Sequence, residues 1–599
     1  MDRLFQRASA GMCAIATLLL LGWLLKYSAY GIDFTDESFY LTWISKPFLF
    51  SGSTTQFGFV YHPLYKLLGG DIAALRQANI LITFGLAWAL CHVFLNSLSP
   101  YQAGQRLLSL TLSAGLASAA LLIFHTWLVT PSYNSLSLQA LMIAAIGVLM
   151  ADKKLYRSSA LAWMLIGVGG WLAFMAKPST AMALALAVLT WLLAVHRCAL
   201  RPTLLAVVSA LVPLLASAWL IDGSIATFVA RLQKGIQLTE DMGGGYTLAE
   251  ILRIDRFDLH GEPENILLAV THAVAAVTGC LVAKERRWRY LGLSLLVVVF
   301  AFTASLALGQ NHWVAHLGSF PGMSVFSVLL AALLFYLATG RLRTLASITP
   351  AQWVVAALFM VTPHIYAFGG NGNYWQFGGE AAIFWLLAGL TLWAPLIRQR
   401  GSWQPLLPAV LVIQAIAATV LHGGLEKPYR QPQPLRLNTS ALSLGPDGAT
   451  LMLSDGFAQY IAAAVQVART AGLQPGTPMV DLSGQSPGIV FALGADSIGQ
   501  AWFIGGYPGS LKRASTALAA VSCQTIAASW VVWEPDGPRS LPAETLVQQG
   551  VRFPEGYRLA GSWKTAEGAG GYTHAREQFL YVPVNIEESA RACQARRAP

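Results

Sequence analysis

Charge is what this sequence has least of. Asp, Glu, Lys and Arg make up only 11% of its 599 residues, against about 25% in an ordinary soluble domain. With 55% apolar residues and a mean hydropathy of +0.54, the chain does not read as water-soluble throughout. Acids are fewer than bases, 29 against 39, but the excess is not a nucleic-acid footprint. Sixteen of the basic residues, Arg106, Lys153, Lys284 and Arg398 among them, fall in the N-terminus and in short loops on one side, opposed only by Asp2, Asp152 and Glu285. Such a bias fixes the orientation of a polytopic membrane chain, with the basic side in the cytoplasm. No groove-reading or base-stacking pattern accompanies it.

Cysteine is scarce too, with six in all. Cys13, Cys91 and Cys280 fall in apolar runs and Cys198 at the end of one, where they read as small apolar fillers. Cys523 and Cys593 belong to the C-terminal region, placed outside the cytoplasm, a compartment that permits a disulfide. The histidines on the same face (His62, His125, His312, His316 and His364) match no zinc spacing. No metal ligand is assigned, and a divalent cation is not favoured as a cofactor.

What the sequence has in abundance is apolar runs of membrane-crossing length, enough for a hydrocarbon layer of about 30 Å. They fall at residues 10–30, 78–97, 107–127, 133–151, 159–176, 178–196, 203–222, 266–283, 290–309, 322–340, 350–368, 380–397 and 405–422. The expectation is an α-helical polytopic membrane protein of about thirteen transmembrane helices. Arg3 and Arg7 ahead of the first run mimic a signal peptide, but the run is read as an uncleaved span. A cytoplasmic N-terminus and an odd number of spans put the C-terminal region on the periplasmic side of a bacterial inner membrane. The division expected is a transmembrane domain over residues 1–422, a Pro-rich linker over 423–440, a small periplasmic α/β domain over 441–585 and a frayed tail over 586–599. Within that domain a helix is expected at 456–472 and another near 510–523, with strands at 478–482, 529–533 and 578–582.

Two loops on the outer side are long. Residues 31–77 open with Thr35-Asp36-Glu37-Ser38-Phe39-Tyr40, and the spacing after Asp36 predicts an amphipathic helix lying in the interface. Residues 223–265 contain Gly243-Gly244-Gly245, either a hinge in a mobile substrate loop or a plain connector. An acidic pair at the mouth of an apolar bundle suits proton transfer at the membrane surface. Asp36 is the candidate base, and an N-cap is its structural alternative. Glu37 supports it or sits solvated in a first helical turn, and Asp33 is a substitute for either. Cations would hold a phosphate and stabilise the charge that gathers on it. Lys177, between two tightly linked spans, is the first candidate, with Arg76 and Lys66 beside the second span; snorkelling is the bland account of each. The turn Asn371-Gly372-Asn373-Tyr374-Trp375-Gln376 offers hydrogen bonds and stacking faces for a sugar, or is only a tight turn with interfacial aromatics. Tyr40 and His62 complete the candidate substrate contacts.

Asp36-Glu37 with Tyr40, then His62-Pro63-Leu64-Tyr65, then Arg76-Gln77-Ala78-Asn79, then Gly170-Trp171-Leu172-Ala173-Phe174-Met175-Ala176-Lys177-Pro178 follow in that order. In this order and placement the chain resembles the C-type glycosyltransferase superfamily, in the branch of protein O-mannosyltransferases and lipid A aminoarabinose transferases. The resemblance covers residues 10–200 well, residues 200–422 in architecture only, and the C-terminal domain weakly. It implies Asp36 as catalytic base, Lys177 as phosphate ligand, a polyprenyl-phosphate sugar donor, a lipid, glycan or protein acceptor, and inversion at the anomeric carbon. There are departures. Tyr61-His62-Pro63 holds one proline and no carboxylate, so a metal site seen in some relatives is doubtful here. The Trp-Trp-Asp motif of oligosaccharyltransferases is absent. A glycan polymerase or ligase, and a flippase of lipid-linked glycans, remain the competing readings.

Overall fold

In the computed structural model, residues 2–98, 106–151, 160–196, 200–243, 262–315, 320–370, 372–445 and 448–598 are described. The first half runs α1 (Asp2–Tyr27), two short helices α2 (Asp36–Ser45) and α3 (Phe57–Leu67), then α4 (Ile72–Leu98), α5 (Arg106–Ala117), α6 (Tyr133–Met150), α7 (Ala160–Ala176), α8 (Pro178–Trp191), α9 (Leu200–Asp222) and α10 (Ile225–Glu240). Among the described residues ten helices are long and apolar enough to cross a membrane, and eleven if Tyr374–Ala381 and Ile383–Arg400, bent by 72°, count as one. The thirteen expected spans are therefore not all reproduced. α7 is apolar but only 17 residues long. The helix Pro350–Ala367 forms but is not among the ten, because Gln352, Thr362, Pro363 and His364 dilute its apolar run.

One group of polar side chains inside this bundle is fully linked, as burial favours. Tyr61 donates to Gln139 Oε1 at 2.8 Å. Gln139 Nε2 donates to Asn79 Oδ1 and Thr83 Oγ1, both at 3.0 Å. Asn79 Nδ2 donates to the Val129 carbonyl at 2.9 Å. This chain of bonds pins α3 to α4 and α6. α7 packs tightly for a different reason. A Cβ at Gly169 would stand 2.8 Å from the Ala140 carbonyl of α6, and one at Gly167 only 2.2 Å from the Ala206 carbonyl of α9. Small residues let backbones approach where no hydrophobic force drives helices together.

The C-terminal region holds a hairpin, β1 (Ser440–Leu444) with β2 (Ala449–Leu453), and a five-stranded sheet. The sheet combines β3 (Pro478–Asp481), β4 (Asp496–Ser497), β5 (Trp530–Trp533), β6 (Tyr557–Lys564) and β7 (Glu577–Pro583) in the order β4-β3-β5-β7-β6. β3 is parallel to β4 and β5, whereas β7 is antiparallel to β5 and β6. The expected strands occur as β3, β5 and β7, and the expected helices as Asp455–Thr470 and Ser510–Ala519. The frayed tail does not. Ile586–Arg597 is a helix whose Cys593 is fully buried and bonded to Cys523, 70 residues away in sequence. A cross-link closing so long a loop removes much unfolded-state freedom.

This region is not an appendage. Met452 N–H donates to the Ala29 carbonyl, and Gly31 N–H returns a bond to the Met452 carbonyl, both at 2.8 Å. Gly31 has φ +70, and a Cβ there would stand 2.1 Å from Gln431 Oε1. Only glycine suits both conditions. Phe34 lies against Phe457 and Tyr460, with ring centroids 4.8 and 5.2 Å away. α2 is consequently no interfacial helix. Eight of its ten residues are buried, between α3 and the helix Pro487–Ala492. Of the second long loop, α10 packs on the first: Gly235 abuts Ser53 and Thr54. Residues 244–261, with Gly244 and Gly245 of the expected hinge, lie outside the described residues.

Candidate active site

Three acids stand at the start of the first long loop, and the fold gives each a different task. Asp33 is fully buried. Thr35 Oγ1 donates to both of its oxygens at 2.8 Å, and the Glu37 N–H donates to Oδ2 at 3.2 Å. Asp33 thus does the capping that was the alternative role for Asp36. Burial pushes its carboxyl up, and the Asp36 charge adds to that. Glu37 is 1% exposed. Its Oε1 accepts from Arg76 Nη2 at 2.9 Å, Arg76 Nε at 3.0 Å and Thr130 Oγ1 at 2.5 Å.

Asp36 differs from both. It is the first residue of α2, behind Thr35, whose side chain makes no capping bond. Its carboxylate is spent on tertiary partners: Oδ2 accepts from Arg430 Nη1 at 3.2 Å, and the Tyr429 hydroxyl also bonds it. The side chain keeps 30% of its surface open. Burial raises the Asp36 pKa above the ordinary carboxylate range, and Arg430 foremost, with Tyr429 and Arg539, pulls it back.

Arg76 is no phosphate clamp. Besides Glu37, it donates to the carbonyls of Ser28 at 2.8 Å and Gly31 at 2.9 Å, and it is 1% exposed. It holds the chain between α1 and α2 in place. Lys66 stands exposed near the end of α3. His62 is half-buried, with Nδ1 2.7 Å from the Ile44 carbonyl and its ring edge-on to Phe48. These contacts give it a packing role between α2 and α3.

Lys177 is 8% exposed in the break between α7 and α8. Its Nζ donates to the Tyr366 carbonyl at 2.7 Å and sits 5.0 Å from the Tyr366 ring. The Tyr366 hydroxyl donates to Glu380, and the Glu380 carboxylate acts on Lys177 as a counter-charge. Tyr40, 4% exposed, packs edge-on to Tyr133 at 5.8 Å. Burial pushes the Tyr40 phenol well up; Tyr133 and the charges of Asp36 and Glu380 push the same way. Tyr40 therefore lies within electrostatic reach of both the Asp36 end and the Lys177–Glu380 end of the site.

The expected sugar turn is mostly engaged in its own folding. Asn371 lies outside the described residues. Asn373 caps a short helix, its Oδ1 accepting from the N–H groups of Trp375 at 2.9 Å and Gln376 at 3.0 Å. Tyr374 tilts against His364, and Trp375 lies between His364 and Trp385, with centroids 4.8 and 6.0 Å away. Among the described residues of this group only the Gln376 side chain is exposed. Among the described residues no three His, Cys, Asp or Glu side chains are grouped to hold a metal ion.

Three residues of the site escaped the sequence reading. Glu380 heads an apolar run, and a lone acid there was a usable signal. Arg430 and Arg539 gave none, since their roles come from distant contacts. Gly484-Gln485-Ser486-Pro487-Gly488 has the Gly-x-Ser-x-Gly spacing of a hydrolase nucleophile elbow, between β3 and a helix. Ser486 is 4% exposed, however, and its Oγ is met by Gln578 Nε2 at 2.9 Å. No histidine bonds it among the described residues. The stretch instead docks on the first long loop, Gly488 N–H donating to the Phe34 carbonyl at 3.0 Å.

No protein-family model matches this sequence, and no curated protein matches it. Two solved structures of ArnT from Cupriavidus metallidurans are similar to the chain. For the apo form the identity is 13% and the TM-score 0.41, covering 95% of this chain and 97% of that one. For the form bound to undecaprenyl phosphate the values are 14%, 0.43, 96% and 98%. A likeness of this depth assigns no reaction, so the functional reading rests on the site itself.

Proposed function

We propose that this protein is an integral-membrane glycosyltransferase, which passes a sugar from a polyprenyl-phosphate carrier to a lipid, glycan or protein acceptor at the periplasmic face. The observation that carries the reading is the division of labour among Asp33, Asp36 and Glu37. Two of these acids are buried and fully engaged, and Asp36 alone keeps an open face. A carboxylate made more basic by burial, with one side free, is suited to take a proton from an acceptor hydroxyl or amine. As that proton moves to Asp36, the acceptor atom bonds to the anomeric carbon. The bond from that carbon to the phosphate oxygen breaks, and the phosphate leaves with the electron pair. A single displacement of this kind inverts the anomeric centre. Lys177 is the cation suited to the departing phosphate, with Glu380 and Tyr366 holding it in place. Glu37 and Arg76 position the loop that carries Asp36.

The test compares wild type with Asp36→Asn and Asp36→Glu in membranes supplied with labelled polyprenyl-phosphate sugars. Transfer is expected to vanish in Asp36→Asn at unchanged expression and to return in part in Asp36→Glu. Undiminished transfer in Asp36→Asn would remove the base and with it this reading.

A further inference from the structure

Two arginines from distant parts of the chain act on Asp36, Arg430 by direct contact and Arg539 through its charge. Arg430 comes from the stretch read as a linker. Its Nη1 donates to Thr35 Oγ1 at 2.5 Å as well as to Asp36, and its guanidinium lies 4.6 Å from the Tyr429 ring. Its φ is +51, a left-handed conformation that costs a non-glycine residue energy and tends to mark functional positions. A Cβ at Gly571 would stand 3.2 Å from Arg430 Cγ, so the loop 568–571 holds this side chain from behind.

Arg539 comes from the loop after β5. Its carbonyl packs so close to Gly484 and Gly505 that a Cβ on either would stand within 2 Å of it, 1.9 and 1.7 Å respectively. Those two glycines fix where Arg539 leaves the backbone. Its half-buried guanidinium makes no hydrogen bond and no ion pair among the described residues, yet its charge acts on Asp36. Asp33 and Glu37 are already engaged by Thr35 and Arg76. Glu37 has its own cation in Arg76, and Arg430 acts on Asp33 as well as on Asp36, so Arg539 is the guanidinium left without a hydrogen-bonded carboxylate among the described residues. Planar forks set around one point suit a tetrahedral oxyanion better than ammonium groups do.

We propose that Arg430 and Arg539 form an anion-binding subsite beside Asp36, which takes a phosphate group of a substrate. The site's place in the reaction rests on the transfer reading above; the binding itself does not. At rest Arg430 holds Asp36. With the anion present it turns to the phosphate and leaves the carboxylate free to accept a proton. The phosphate is either that of a lipid carrier or one borne on a sugar headgroup, and the two share the chemistry that the arginines recognise.

The test measures the affinity of the purified full-length protein for inorganic phosphate, farnesyl phosphate and glucosamine 1-phosphate. Wild type is expected to bind at least one of the organic probes in competition with inorganic phosphate. Arg430→Gln and Arg539→Gln should each weaken it by about tenfold, the loss of one charge-assisted contact. Arg539→Lys should recover part of the loss, and Arg552→Gln, on an exposed face, should change nothing. Asp36→Asn should bind phosphate more tightly, because a competing anion is removed; a merely structural role for these residues would not produce that gain. Preference for farnesyl phosphate identifies a lipid carrier, and preference for glucosamine 1-phosphate a phosphorylated sugar. Wild-type affinity in both arginine variants, or no binding of any probe by wild type, overturns the proposal. Intact transfer by Asp36→Asn together with arginine-dependent binding would sink the transfer reading and leave the subsite standing.

Discussion

Arg430 meets Asp36 across 394 residues of sequence, its Nη1 3.2 Å from the carboxylate Oδ2. The contact ties the segment after the last long apolar helix to the opening of α2. It also sets two influences on one acid against each other. Burial raises the Asp36 pKa, and Arg430 lowers it.

A pH profile follows from that opposition. A base works only when ionised, so the rate falls as pH drops through its pKa. Because burial prevails, the acidic limb of kcat/KM for transfer should lie above the range of an ordinary carboxylate. In Arg430→Gln the counter-charge is gone and the limb should move further up. A limb that stays put, or moves down, would show that Asp36 is not the titrating group.

Glu37 and Arg76 form a buried pair, both 1% exposed. Removing one member of such a pair strands the other's charge and costs about 3–5 kcal/mol. Glu37→Gln should therefore lower the thermal unfolding temperature of the detergent-solubilised protein. Glu37→Gln with Arg76→Met should be less unstable than the sum of the single changes, since no lone charge remains. Additive losses would mean that the two side chains act separately.

Lys177 is the cation proposed for the leaving phosphate. Lys177→Met should cut kcat by about 10²–10³-fold with little change in KM, the pattern of an interaction made chiefly in the transition state. Steady-state transfer assays at several donor concentrations separate the two constants. A rise in KM with kcat intact would reduce Lys177 to a ground-state binding contact.

Much of this arrangement was legible because its signals are local. An apolar run of about twenty residues has few fates other than a spanning helix, and β5 and β7 carry the Val, Trp, Phe and Tyr that favour strands. β6 was not legible. It carries Arg558, Ser562 and Lys564, and its register shifts between Leu559 and Gly561. The adjacent acids Asp36 and Glu37 stood out, yet nothing local divides their roles. That division comes from Arg76, Thr130 and Arg430, placed by tertiary packing. For the same reason an arginine at the mouth of a span looked like a phosphate ligand, whereas its donors are taken by Glu37 and by carbonyls of the chain between α1 and α2.

The docking of the C-terminal region on α2 makes its own demand. Gly488 sits where a Cβ would stand 2.6 Å from Ser38 Oγ and 2.7 Å from Phe34 Cδ1. No side chain fits there unless the two units move apart. Such a movement would carry Arg430 and Arg539 away from Asp36, because both belong to the docked side. Gly488→Val should therefore abolish transfer while the chain still inserts and Cys523 and Cys593 remain bonded. Hydrogen exchange should rise in α2 and in Pro487–Ala492, the two faces of the contact, and stay unchanged in Ile586–Arg597. Normal transfer with the same local increase in exchange would show that catalysis does not need the domain seated, and that neither arginine contributes to it.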